Sequence, residues 1–171
     1  MIETVEGNVL SLCEGIIVHG CNCQGVMGSG IAKSIRDTYP DVYEAYRAHH
    51  RRVGLNLGDV VTVGNPKWLQ NKQAARHLND TSEQLPERLI IVNALTQDEY
   101  GREAGRVYVD YDGLAAAFAR VRVLARDTGL SVHFPLIGCG LANGKWEEVS
   151  DRIDRMLGAT VSKTLWVLPS N

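Results

Sequence analysis

Apolar residues along this chain recur in two rhythms. Short, largely β-branched runs come first: Gly15-Ile16-Ile17-Val18, Gly58-Asp-Val-Val-Thr-Val63, Arg88-Leu-Ile-Ile-Val-Asn93, Val132-His133-Phe134 and Thr164-Leu-Trp-Val-Leu168. Runs of that length and composition predict buried strands, and residues 2–6 add a further one at the start. Between them apolar positions are spaced three and four apart. Ile31, Ile35 and Tyr39 share one helical face, as do Val42, Tyr43 and Tyr46. Leu114, Phe118, Val121 and Leu124 mark a third helix, and Trp146, Val149, Ile153 and Met156 a fourth. Pro40 stands just past the first of these helices and opens the second. His49-His50-Arg51-Arg52 closes the second, where cations suit the helix dipole better than they suit catalysis. Strands alternating with helices predict an α/β fold with a largely parallel sheet. No internal repeat is visible.

The rhythm breaks in two informative places. The first is His19 to Ala32, where a buried run gives way to Gly20, Gly25, Gly28 and Gly30 before a helix begins. A strand that dissolves into glycines and re-forms as a helix presents free N–H groups at a helix N-terminus, which is an anion site. Two familiar phosphate loops fail here. Ile31 and Ala32 separate Gly30 from Lys33-Ser34, so the P-loop spacing is broken and a nucleotide kinase is disfavoured. Lys33 also stands where a dinucleotide fingerprint needs its third glycine. A second glycine-rich turn, Gly138 to Gly144, follows the predicted strand at 132–134. Ligands of open α/β sheets sit beyond the carboxyl ends of strands, so both turns are expected to face one cleft. Ile31, Val9, Leu141 and Ile137 would supply its apolar walls.

The second break is residues 64–87. This polar, weakly patterned stretch is long for a connection, and it reads as a surface insertion with a helical turn or two at Ala74–Leu78 and Trp68 as its fastening. At 171 residues, 44% of them hydrophobic, one well-buried domain over 1–171 is expected. The formal net charge of −2 argues against a broad basic surface for duplex nucleic acid. No apolar run approaches the roughly 18–20 residues that cross a bilayer, so no membrane partner is expected. The start, Met-Ile-Glu-Thr-Val-Glu, lacks the basic and apolar regions of a signal peptide, which predicts a cytoplasmic protein. Cys13, Cys21, Cys23 and Cys139 are then expected as free thiols, with no spacing that suggests a metal.

Three stretches in this order carry a resemblance: His19-Gly-Cys-Asn-Cys-Gln-Gly-Val-Met-Gly-Ser-Gly-Ile-Ala32; then Asn93-Ala-Leu-Thr-Gln97 with Tyr100-Gly101 and Val109-Asp-Tyr111; then Pro135-Leu-Ile-Gly-Cys-Gly-Leu-Ala-Asn-Gly-Lys-Trp146. Together they resemble macro domains, the ADP-ribose-binding family. The nearest subgroup holds ADP-ribose 1″-phosphate phosphatases and terminal ADP-ribose protein glycohydrolases. The resemblance implies a three-layer α/β/α fold around a mixed, largely parallel sheet. It also implies ADP-ribose or its 1″-phosphate as ligand, no cofactor, and ADP-ribosylated macromolecules as further partners. The expected activity is removal of the terminal phosphate. The alternatives are hydrolysis of an ADP-ribosyl bond to protein or nucleic acid, and a module that binds without chemistry.

Carried over residue by residue, the resemblance assigns Asn8 and Val9 to the adenine, where many relatives have an aspartate at position 8. It assigns Asn22 to the distal ribose, with Cys21 a further ligand contact beside it, Gly28, Ser29, Gly30, Ile31 and Ala32 to the diphosphate, and Ile137, Gly138, Cys139, Gly140, Leu141 and Ala142 to its other side. Gln97 stands where glycohydrolase relatives use a lysine, and Ala142 where they use an aspartate. Lys145 replaces the acid of a Gly-Gly-Asp-Trp pattern and is either a terminal-phosphate contact or a surface lysine facing water. His19 ends a strand beside the first turn, and the yeast phosphatase of the subgroup has a similar His-x-Cys-Asn-Cys run. That makes His19 the expected general acid. Alternatives remain at each polar position: Asn8 as a helix cap, Asn22 as a left-handed turn residue, His19 as a buried histidine held by a hydrogen bond.

Overall fold

A computed structural model describes residues 1–170. In chain order the elements are β1 (Glu3–Glu6), β2 (Glu14–Asn22), α1 (Gly30–Thr38), α2 (Pro40–Val53), β3 (Val60–Gly64), α3 (Lys72–Ala75), β4 (Asp80–Thr81), β5 (Arg88–Gln97), α4 (Tyr111–Thr128), β6 (Val132–Phe134), α5 (Trp146–Leu157) and β7 (Lys163–Val167). The strands form one sheet ordered β1-β7-β6-β2-β5-β3-β4. Every pairing is parallel except β3 against β5. The sheet is therefore mixed and largely parallel. β1 and β4 are its edges. One is fully exposed, with a glutamate at each end, and the other is two residues long.

Both faces are covered, because consecutive residues of β2 bury on opposite sides. Ile16 and Val18 pack with Phe118, Val121, Val149 and Ile153 from α4 and α5. Ile17 packs with Ile35 from α1, Val42 and Ala45 from α2, and Tyr39 between the two helices. The same alternation carries His19 and Cys21 to the α2 side, and Gly20 to the α4 side. Helix ends follow local chemistry. Pro40 opens α2, where a missing N–H costs nothing. Asp110 caps α4 by accepting from Gly113 N, and Gly129 ends it in left-handed geometry.

Two elements differ from the sequence expectation. β5 runs on to Gln97 rather than stopping at Asn93, because it stays paired with β2 as far as Asn22↔Gln97, through a register shift after Cys21. Residues 66–81 hold a 3₁₀ turn at Pro66–Gln70, the short α3 and the edge strand β4. Asn65 and Asn71 cap the two helical pieces with their side-chain oxygens. Trp68 and Ala74 are buried in the same core as α4. Arg76 and His77 both reach the Asp127 carboxylate at 2.6 Å, fastening the stretch to the C-terminal end of α4.

Candidate functional site

A cleft of about 840 Å³ lies at the carboxyl ends of β2, β5, β6 and β7. That size suits a dinucleotide-like ligand. The first glycine turn forms one side. Gly30 adopts φ +58°, and a side chain there would meet open space, so the turn is set by backbone conformation rather than crowding. Ser29 occupies the cap position of α1 without a side-chain cap bond, and the first turn has no acidic residue. The amides at the start of α1 thus meet the cleft with neither a capping oxygen nor a carboxylate in the way.

The second turn faces it. Gly138 is left-handed at φ +71°, and its Cα lies so close to Val109 that an added Cβ would sit 2.7 Å from Val109 Cγ2. Gly144 N donates to Gly138 O at 2.7 Å and Asn143 N to Gly140 O at 3.0 Å, closing the turn on itself. Asn143 takes φ +57° and donates from Nδ2 to Arg106 O at 2.7 Å. Among the described residues, the amides of Gly140, Leu141 and Ala142 find no main-chain acceptor. Gly140 and Leu141 are exposed and Ala142 is buried, so this run leaves its N–H groups free to receive a ligand oxygen.

Of the residues expected at the site, Cys21, Asn22, Gly28, Ser29, Gly30, Ile31, Ala32, Gln97, Ile137, Gly138, Cys139, Gly140, Leu141 and Ala142 line this cleft. Asn8, Val9, His19 and Lys145 do not. Asn8 Oδ1 accepts from Leu10 N at 2.9 Å, which is the capping role. Val9 is buried in the core beneath α1. Lys145 is the residue before α5, and its backbone N–H donates to the Tyr111 hydroxyl.

His19 departs furthest from expectation. Its side chain is wholly buried. Nε2 lies 2.6 Å from Asn93 Oδ1, and Asn93 Nδ2 donates to Val61 O at 3.0 Å. The Val61 carbonyl fixes which end of the Asn93 amide faces His19, so His19 Nε2 carries the proton and donates. Burial holds its pKa down at about 4. A neutral imidazole, buried outside the cleft and bonded to the neighbouring strand, ties β2 to β5 and is not placed to protonate a leaving group. The covering element is α2, whose Tyr46 is fully buried on the same side.

Tyr46 also governs Asn22. Its hydroxyl lies 2.6 Å from Asn22 O and 3.0 Å from Asn22 Oδ1. Asn22 Oδ1 further accepts from Gln24 N and Val26 N, and Nδ2 donates to Val26 O at 2.8 Å. Asn22 does not adopt the left-handed conformation. It organises the first turn and keeps one amide hydrogen for a ligand. The two cleft thiols, Cys21 and Cys139, have their pKa values raised by burial, which makes them poor nucleophiles.

Gly20, Val26, Tyr100, Gly101, Pro135 and Leu136, which fall within the stretches quoted above without an assigned contact, also line the cleft, as do Arg102, Trp166, Val167 and Leu168, which the sequence does not single out as contacts. The rule that ligands sit past strand carboxyl ends points at three of these groups, after β5, β6 and β7. Gly20 is required by packing, since a Cβ there would lie 2.7 Å from Thr96 Oγ1. Among the lining residues there is no aspartate, glutamate, histidine or lysine, and Arg102 is the one cation. Among the described residues, no group of three histidine, cysteine or acidic side chains is placed to hold a metal, and no helix is long and apolar enough to cross a membrane.

No family model matches the chain. It is 28% identical over 100 residues to an ADP-ribose 1″-phosphate phosphatase of Aspergillus oryzae, covering 58% of this chain and 49% of that protein. It is 26% identical over 167 residues to a DNA ADP-ribosyl glycohydrolase of Thermus aquaticus, covering 98% of this chain and 41% of that protein. The chain thus spans about half or less of the length of these curated relatives. Among solved structures, a macrodomain protein from Streptomyces coelicolor superposes with a TM-score of 0.66 at 27% identity, covering 98% of this chain and 99% of that one.

Proposed function

We propose, from the premise that this chain is a macrodomain, that it binds ADP-ribose and hydrolyses derivatives of it at the distal ribose, ADP-ribose 1″-phosphate first among them. One observation carries the reading: two glycine turns bring unpaired main-chain amides to opposite sides of a single cleft. A diphosphate between them meets donors on both sides, with little side-chain entropy to lose. Apolar Ile31, Leu136, Ile137 and Leu141 border the same space and suit a base or sugar face. Asn22 and Gln97, paired across β2 and β5, mark the end for the distal ribose. The similarity to phosphatases and glycohydrolases supports hydrolysis there. Without a lysine or carboxylate in the cleft, rate acceleration rests on positioned amides and an oriented water, so turnover is expected to be slow.

That same lack of acid–base side chains supports a second reading, a module that recognises ADP-ribose on macromolecules without chemistry. Calorimetry tests the shared premise: ADP-ribose should bind more tightly than AMP, and equal affinities would remove the two-turn cleft as its site. Phosphate release from ADP-ribose 1″-phosphate then separates the two readings. Turnover identifies the hydrolase, and tight binding without turnover the module.

A further inference from the structure

We infer that Arg102 forms a subsite for a terminal phosphate on the distal ribose; the inference rests on the ADP-ribose reading above. Three observations converge on this residue. It is the one cation lining the cleft, and no anionic side chain lines it. It forms no ion pair among the described residues, because the nearby Glu99 and Glu103 are both engaged by Arg106. Its loop follows β5 at the end of the cleft that holds Asn22. The segment after β5 lies against the first turn, where Cys23 N donates to the Gln97 and Asp98 carbonyls at 3.0 Å and Gln24 Nε2 to Asp98 O at 3.3 Å.

The segment carrying Arg102 is also pinned on its far side. Glu103 N donates to the Tyr108 hydroxyl at 3.3 Å, and Tyr108 N donates to Ala142 O in the second glycine turn at 2.8 Å. Gly101 packs so tightly on the Tyr108 ring and hydroxyl that a side chain there would overlap them. An exposed planar guanidinium with free donors, carried by this pinned loop, can meet the oxygens of a phosphomonoester bidentately. Lys145, the cation that the sequence offered for this task, does not line the cleft.

The test compares three ligands by calorimetry on the full chain: ADP-ribose, ADP-ribose 1″-phosphate, and ADP-ribose carrying its extra phosphate on the adenosine ribose. The unaltered protein should favour the 1″-phosphate over ADP-ribose by about tenfold, the worth of one charge-assisted pair, and more weakly as salt rises. The phosphate at the other end should give no such gain. Arg102→Gln should abolish the preference and leave ADP-ribose affinity within about twofold; Arg102→Lys should keep part of it. Lys145→Gln should keep all of it. A preference that survives Arg102→Gln, or an equal loss of both ligands, overturns the subsite. Unaltered protein that binds ADP-ribose without favouring the 1″-phosphate also overturns it, while the ADP-ribose reading stands. Failure of the unaltered protein to bind ADP-ribose at all is the separate result that removes that reading.

Discussion

His19 should make this protein acid-sensitive in a measurable window. Its folded-state pKa is about 4, because burial penalises the imidazolium more than the bond to Asn93 favours it. Unfolded, the ring returns to about 6.5. Between those values the unfolded chain binds the proton and the folded chain does not, so stability rises with pH across the window. The contribution is fully present above pH 6.5 and is lost as pH falls toward 4. The whole gap corresponds to roughly 3 kcal/mol, and about 2 kcal/mol of it falls between pH 7 and pH 5. His19→Gln removes the titration, while its side-chain amide can still donate toward Asn93 Oδ1. Urea unfolding of both proteins at pH 5, 6 and 7, followed by tryptophan fluorescence, gives the comparison. The substituted protein is expected to be less stable at pH 7, having lost the packed ring, but its stability should fall about 2 kcal/mol less on going to pH 5. Other titrating groups are common to both and cancel. Parallel pH profiles would show that His19 is solvated or protonated in the fold, and would reopen a catalytic role for it.

Three further outcomes follow from the packing. Thr96→Val should be neutral, or stabilising by up to about 1 kcal/mol in urea unfolding, because the buried Thr96 hydroxyl has no hydrogen-bond partner to lose. Gly138→Ala should cost about 1–3 kcal/mol and weaken ADP-ribose markedly in calorimetry, since it strains a left-handed residue and drives a methyl into Val109. Asn22→Ala should destabilise the first turn by about 2 kcal/mol and, on the proposed function, weaken ADP-ribose more than AMP, since only the former carries a distal ribose; equal losses would reduce Asn22 to a turn residue.

The sequence was most informative where local rules govern. The glycine turns, the strand preceding each and the helix following the first are all dictated by neighbours a few residues away, so the two turns emerge as facing one cleft, and the resemblance then names Gly28–Ala32 and Ile137–Ala142, which line it. The choice between the two readings of His19 is not local, because its direction depends on phase. In a strand, adjacent residues point to opposite faces, and nothing local says which face α2 will cover. Once Ile17 is known to pack with α1 and α2, the burial of His19 follows by counting two residues along. Asn93 was read as a core strand residue, and its bond to His19 spans 74 positions, beyond the reach of any periodicity. Residues 64–87 show the same division. The caps at Asn65 and Asn71 are local, whereas the pairing of β4 with β3 and the anchor at Asp127 arise only on folding.

The two ends of the sheet have a consequence for how copies of this chain meet. An unpaired strand edge is a template, and a long, flat, apolar one recruits a second molecule's backbone into a growing ribbon. Here β1 offers Glu-Thr-Val-Glu, all exposed, so a second copy laid alongside would bring like charges together. At the opposite end β4 supplies two residues of ladder, beginning with an aspartate. Neither border can propagate pairing far. The strongly apolar strands β2 and β5 lie inside the sheet with both borders satisfied. Concentrated or heat-stressed protein should therefore resist fibrillar stacking for as long as the sheet stays intact, and should become prone to it only when β3 and β4 peel away and uncover the eight consecutive buried residues of β5.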